Sequence, residues 1–208
     1  FMINKAIIMA GGSGTRLKPL TNYLNKHLLP VYNKPMIFYP LSLLIYAKVK
    51  EILIICNQED LKTFRKILFS FQKKYKILIK FKIQTKKGGG IAEGLTLGKK
   101  FLSNVNKFAL ILGDNFFFGK EFPKILNKKL LEKSKNSSIF LSKVSDPKNY
   151  GVAYLNKKKE INKIIEKPKN PKSSFVITGL YVYHEDALKL LKRLKPSKRG
   201  ELEITSLN

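Results

Sequence analysis

The chain has 208 residues, 44% of them hydrophobic, with a formal net charge of +27, so it is long enough to bury a substantial core. The most apolar stretch, 36–47, is broken by Pro40 and falls short of the roughly 20 residues a membrane-spanning helix needs. The first apolar run, 6–10, stops at Gly11 without a small-residue cleavage site, which argues against a secretory leader. Cys56 is the only cysteine, so no internal disulfide can form. The cytoplasm is the expected compartment, with no membrane partner. The charge invites a nucleic-acid interface, but only Arg16, Arg65, Arg193 and Arg199 are arginines, leaving 37 lysines among 41 basic residues. Base readout and bidentate phosphate recognition favour arginine's planar fork. The lysines are also scattered (Lys62, Lys99, Lys128, Lys157). The excess therefore reads as a lysine-rich coding bias, and no specific nucleic acid is expected as a partner.

Short, β-branched apolar runs at 5–9, 51–56, 77–84 and 107–112 predict buried strands. Between them, 36–47, 59–71 and 91–101 carry apolar residues at helical spacing. Leu61, Phe64, Ile67, Leu68 and Phe71 form one such stripe, read as core. This alternation implies βαβ units and a mainly parallel sheet covered on both faces. After Asp114 the pattern changes to a helix over 122–133, strands over 138–143, 151–155, 161–166 and 175–183, and a last helix over 186–194. No repeat and no linker divides the chain. The reading is one domain over 1–208.

Two segments carry chemistry. The first strand runs straight into Gly11-Gly12-Ser13-Gly14-Thr15-Arg16, whose glycines let backbone N–H groups approach a phosphate closely. The segment is neither a Walker loop nor a full dinucleotide fingerprint. Arg16 and Lys26 add positive charge suited to a polyphosphate. The fourth strand ends in Leu112-Gly113-Asp114-Asn115, one of only four aspartates, at the end where open α/β sheets bind ligands. Asp114 is therefore a candidate Mg²⁺ ligand, since that ion needs few carboxylates when phosphates and water complete its shell.

These segments, with Leu28-Leu29-Pro30-Val31-Tyr32, Lys34-Pro35-Met36-Ile37, Ser145-Asp146-Pro147, Tyr150-Gly151-Val152, Glu166-Lys167-Pro168, Thr178-Gly179-Leu180-Tyr181 and 199–205, lie in an order that resembles the glucose-1-phosphate thymidylyltransferases, within the wider sugar nucleotidyltransferase family. The resemblance covers essentially the whole chain and implies a nucleotide-binding part at about 1–120 and a sugar-binding part at about 121–208. It implies a Rossmann-like three-layer αβα sandwich and an enzyme that uses Mg²⁺, dTTP and glucose 1-phosphate. Gly11, Gly12, Ser13, Gly14, Thr15 and Arg16 would hold the triphosphate, with Lys26 at the reacting phosphorus and Asp114 on the metal. Gln84 and Gly90 would contact the thymine edge. Tyr150, Gly151, Glu166, Ile177 and Thr178 would line the glucose pocket, and Lys167 and Arg199 would steer its phosphate. A homo-oligomer is implied for the full-length protein.

The chain departs from the family pattern in three places. His27 stands where glutamine is usual, and Glu93 stands where the family's Gly-Leu-Ala-Gln-Ala run has glutamine. The sequence ends at Asn208, before the family's second metal-binding aspartate, so nucleotide binding is expected to outlast turnover. A sugar nucleotidyltransferase for another nucleotide, and an impaired fragment that only binds nucleotide or nucleotide-sugar, stay open as alternatives. On the charge, binding to duplex DNA should be weak, blind to sequence and lost steeply with added salt. A salt titration of DNA binding checks this, and tight sequence-selective binding at physiological salt would contradict it.

Overall fold

A computed structural model describes residues 4–12, 14–84, 90–195 and 202–208. Strand β1 (Lys5–Ala10) runs into the glycine segment. Three single 3₁₀ turns (Thr15–Leu17, Leu20–Asn22, Lys26–Leu28) and a short ribbon, β2 (Pro30–Val31) with β3 (Lys34–Pro35), then lead to helix α1 (Phe38–Tyr46). There follow β4 (Glu51–Cys56), α2 (Leu61–Tyr75), β5 (Leu78–Ile83), α3 (Ile91–Gly98), β6 (Lys107–Leu112) and α4 (Phe122–Leu131). The remainder is β7 (Ser138–Lys143), β8 (Gly151–Leu155), β9 (Ile161–Glu166), β10 (Phe175–His184) and α5 (Ala187–Leu190).

Eight strands form one sheet in the order β5-β4-β1-β6-β10-β8-β9, with β7 also paired to β10. The run from β5 to β6 is parallel. From β10 onward every pairing is antiparallel. Side chains alternate across the parallel half. Ala6, Ile8 and Ala10 of β1 join the core under α1, α2 and α4, with Phe64, Leu68, Leu126 and Leu130. Ile7 and Met9 join the opposite core, with Ala92 and Leu95 of α3 and Leu188 of α5. Helices on both faces explain why the inner strands are apolar without interruption. The three-layer αβα arrangement with mainly parallel central strands is as the sequence implied. Helix α3 lies close on β1, because a Cβ at Gly98 would fall 2.3 Å from Ile7 Cδ1. Among the described residues no helix is long and apolar enough to cross a membrane.

Element ends shift for local reasons. Pro40 does not break α1, because it sits in the first turn, where its missing N–H would have no helical acceptor. The expected helix over 186–194 is one α turn followed by a 3₁₀ turn at Leu191–Arg193, ahead of Pro196, which disfavours helix in the residue before it. Phe64 of α2 is fully buried, so Phe64→Ala should cost about 3–5 kcal/mol by removing its contacts and leaving a cavity. Urea unfolding of both proteins would measure it.

Candidate active site

The C-terminal ends of β5, β4, β1 and β6 open on a cavity of about 810 Å³, where open α/β sheets bind ligands. Gly11, Gly12, Lys26, Gln84, Gly90 and Asp114 all line it. Gly11, Gly12 and Lys26 follow β1, Gln84 and Gly90 follow β5, and Asp114 follows β6, so the topology brings them together.

Lys26 Nζ lies 2.5 Å from Asp114 Oδ2, and Asn115 Nδ2 donates to Asp114 Oδ1 at 3.1 Å. Burial pushes the Asp114 carboxyl up, but the Lys26 hydrogen bond and charge, the His27 charge and the Asn115 bond pull it below the usual carboxylate range. It is therefore ionised at neutral pH. Lys26 lies against Gly12, where a Cβ would sit in ordinary van der Waals contact 3.5 Å from Nζ. The turn carrying Lys26 is held by Asn25, itself buried. Asn25 Oδ1 accepts from the His27 N–H at 2.9 Å and lies 2.7 Å from His27 Nδ1. Its Nδ2 donates to Ala10 O at 3.1 Å and Asp60 Oδ2 at 2.6 Å. Asp60 Oδ2 also accepts from Asn57 Nδ2 at 3.0 Å. His27 is 2% exposed, and its ring covers Gly113, where a Cβ would come within 2.6 Å of Cδ2.

Gln84, just past β5, donates from Nε2 to Glu93 Oε2 at 3.2 Å. Gly90 precedes α3 with φ of 83°, left-handed backbone that favours glycine. Thr15 and Arg16 lie exposed on the first 3₁₀ turn, and Gly14, whose carbonyl accepts from Thr21 Oγ1 at 2.8 Å, sits just ahead of them. None of these three is part of the cavity lining. Ser13 and Arg199 lie outside the described residues. Cys56 ends β4 buried, its thiol pushed up to about 12 by burial and by the charge of Asp60, so it supplies no thiolate nucleophile.

The remaining residues group around β8 to β10, away from that lining. Gly151 pairs with Glu166 across β8 and β9, and a Cβ on Gly151 would lie 3.3 Å from Glu166 Oε2 and 3.4 Å from Ile177 Cδ1. Lys167 N–H donates to Tyr150 O at 3.0 Å, and Lys167 Nζ is 3.8 Å from Glu166 Oε1. Thr205 Oγ1 donates to Glu166 Oε2. Thr178 instead turns its hydroxyl to Phe140 O on β7, at 2.8 Å. Asn115 links the two groups, accepting from the Gly179 N–H at 2.9 Å.

The sequence reading passed over Asn25, Asn57 and Asp60. A signal for the last two existed: 57–60 follow β4 as the glycine segment follows β1, at the same edge of the sheet. For the Asn25 bonds to Ala10 and Asp60 there was none, since those partners are tertiary.

His27 is held down to about 4, chiefly by burial and then by the Lys26 charge. The unfolded chain therefore takes up this proton first. The stability it contributes is complete above about pH 6.5 and is lost as pH falls toward about 4. Thermal melts between pH 7 and 4.5 should show Tm falling more steeply for the wild type than for His27→Gln. Parallel curves would place the acid sensitivity elsewhere.

Comparison with known proteins fits this geometry. A nucleotidyl transferase family model matches residues 5–208. Glucose-1-phosphate thymidylyltransferases from Neisseria meningitidis and Xanthomonas campestris pv. campestris are 43% and 40% identical over 98% of this chain, which spans 69% and 68% of their lengths. A Bacillus anthracis crystal structure assigned to the same activity, in complex with sucrose, superposes with a TM-score of 0.87 at 39% identity. That superposition covers 98% of this chain and 80% of that one. A UDP-glucose pyrophosphorylase complexed with UDP-glucose gives 0.83 at 25% identity, over 99% and 85%. The chain therefore belongs to the nucleotidyl transferase family, as an enzyme related to the glucose-1-phosphate thymidylyltransferases.

Proposed function

We propose that the chain transfers a thymidylyl group from dTTP to glucose 1-phosphate, yielding dTDP-glucose and pyrophosphate. The observation that carries this is the Lys26–Asp114 pair beside the side-chain-free backbone of Gly11 and Gly12, in a chain whose relatives share that activity in name. A phosphate oxygen of the sugar phosphate attacks the α-phosphorus in line. The new P–O bond forms as the bond to pyrophosphate breaks. The attacking oxygen is already anionic near neutral pH, so no strong general base is needed. Catalysis then rests on alignment and charge stabilisation.

In this reading the glycine backbone cradles the phosphates and Lys26 moves from Asp114 to the reacting phosphate, with Arg16 adding charge from the rim. Gln84 and Gly90 take the base. Tyr150, Gly151, Glu166, Ile177 and Thr178 take the glucose, and Lys167 and Arg199 steer its phosphate. Mg²⁺ suits the donors present. Among the described residues no three His, Cys, Asp or Glu side chains gather to form a protein cage, whereas one ionised carboxylate in a nucleotide cavity matches an ion that keeps waters and phosphate oxygens. Bound at Asp114, it would neutralise phosphate charge.

Pyrophosphate release with dTTP, UTP, dCTP and ATP, each against several sugar 1-phosphates, tests the proposal. The highest kcat/KM is expected for dTTP with glucose 1-phosphate, and preference for another pair would overturn the substrate assignment. Asp114→Asn keeps the side-chain volume but not the charge. It should lower kcat about a hundredfold or more while leaving the circular dichroism spectrum unchanged. Undiminished turnover at saturating Mg²⁺ would remove Asp114 from the mechanism.

A further inference from the structure

We infer that Glu93 sets nucleotide specificity by locking the Gln84 amide in one orientation, so that the cavity takes a base presenting a ring N–H beside an oxo group and rejects its amino counterpart. The inference rests on the reading that the base docks against Gln84.

The backbone of Gln84 is fixed by its N–H bond to Cys56 O at 2.9 Å, which leaves only the side chain free to choose. A glutamine amide is close to two-fold symmetric in shape, and turning it over exchanges a donor for an acceptor. An unconstrained Gln84 could thus match either pyrimidine edge. It could give its carbonyl to N3–H and its NH₂ to O4 of uracil or thymine, or the reverse to N3 and the 4-amino group of cytosine.

Glu93, from the first turn of α3, removes that freedom. An ionised carboxylate can only accept. The Nε2 of Gln84 lies 3.2 Å from Glu93 Oε2, so the NH₂ must face Glu93. The carbonyl then lies over Gly11, where a Cβ would come within 2.3 Å of Oε1. Only glycine at position 11 leaves room for that placement. Reversing the amide would set two acceptors against each other with no proton between them. The edge offered to a base is therefore one acceptor, Oε1, followed by the second Nε2 hydrogen, in a fixed order. That order complements N3–H and O4 and opposes cytosine at both positions.

Deoxyuridine and deoxycytidine triphosphates differ only along this edge, so their affinity ratio isolates the effect. Calorimetric titration of the chain with dUTP and dCTP should show dUTP bound at least about tenfold tighter, as expected when a bidentate match becomes a mismatch. In Glu93→Ala the ratio should fall to within about threefold. A general loss of structure would weaken both ligands and leave the ratio in place. An unchanged ratio in Glu93→Ala, with the wild type still preferring dUTP, would overturn the role of Glu93 alone. A wild type that binds neither nucleotide, or prefers dCTP, would overturn the assignment of the cavity to dTTP and this inference with it.

Discussion

A lysine and an aspartate 88 residues apart meet at 2.5 Å, and much of the site is arranged to allow that meeting. Asp114 leaves the end of β6, and Lys26 opens a 3₁₀ turn in the segment that follows β1, the direct neighbour of β6 in the sheet. Two charges drawn partly out of water are costly apart and tolerable together. Against the effect of burial, the pairing with Lys26 holds the Asp114 carboxyl below the usual carboxylate range. Asn25 and His27 position the lysine, and Gly113 makes room for the imidazole that supports the turn. The lysine thus rests on a buried polar turn.

The doubly covered strands were easy to read because burial on both faces leaves them uniformly apolar, as in 52–56 and 108–112. The stripe on α2 was equally plain, since a surface helix must separate its faces. The segment from 15 to 35 was not. Its 3₁₀ turns and two-residue strands are too short to show any period, and what holds them, such as Asn25 on Asp60, comes from elsewhere in the chain. The site divides in the same way. Gly11, Gly12 and Asp114 stand beside strand ends that the sequence marks, whereas the pairing of Gln84 with Glu93 depends on how α3 returns across the end of β5. Glu93 could be seen to be unusual, but only the folded arrangement shows which partner it serves.

The lysine excess has a structural use at the margins of the sheet. The strand order of the described sheet ends in β5 and β9, with β7 set off it on β10. Lys80 and Lys82 stand exposed on one face of β5, and Lys163 stands exposed on β9. An open strand edge is a template for a second chain, and a second copy docking there would bring like charges within a few ångströms, at a strand spacing of about 4.8 Å. The exposed lysines thus oppose strand pairing between copies. That opposition is ionic, so it weakens as the Debye length shrinks, and crowded copies in strong salt would lose the repulsion that keeps their edges apart.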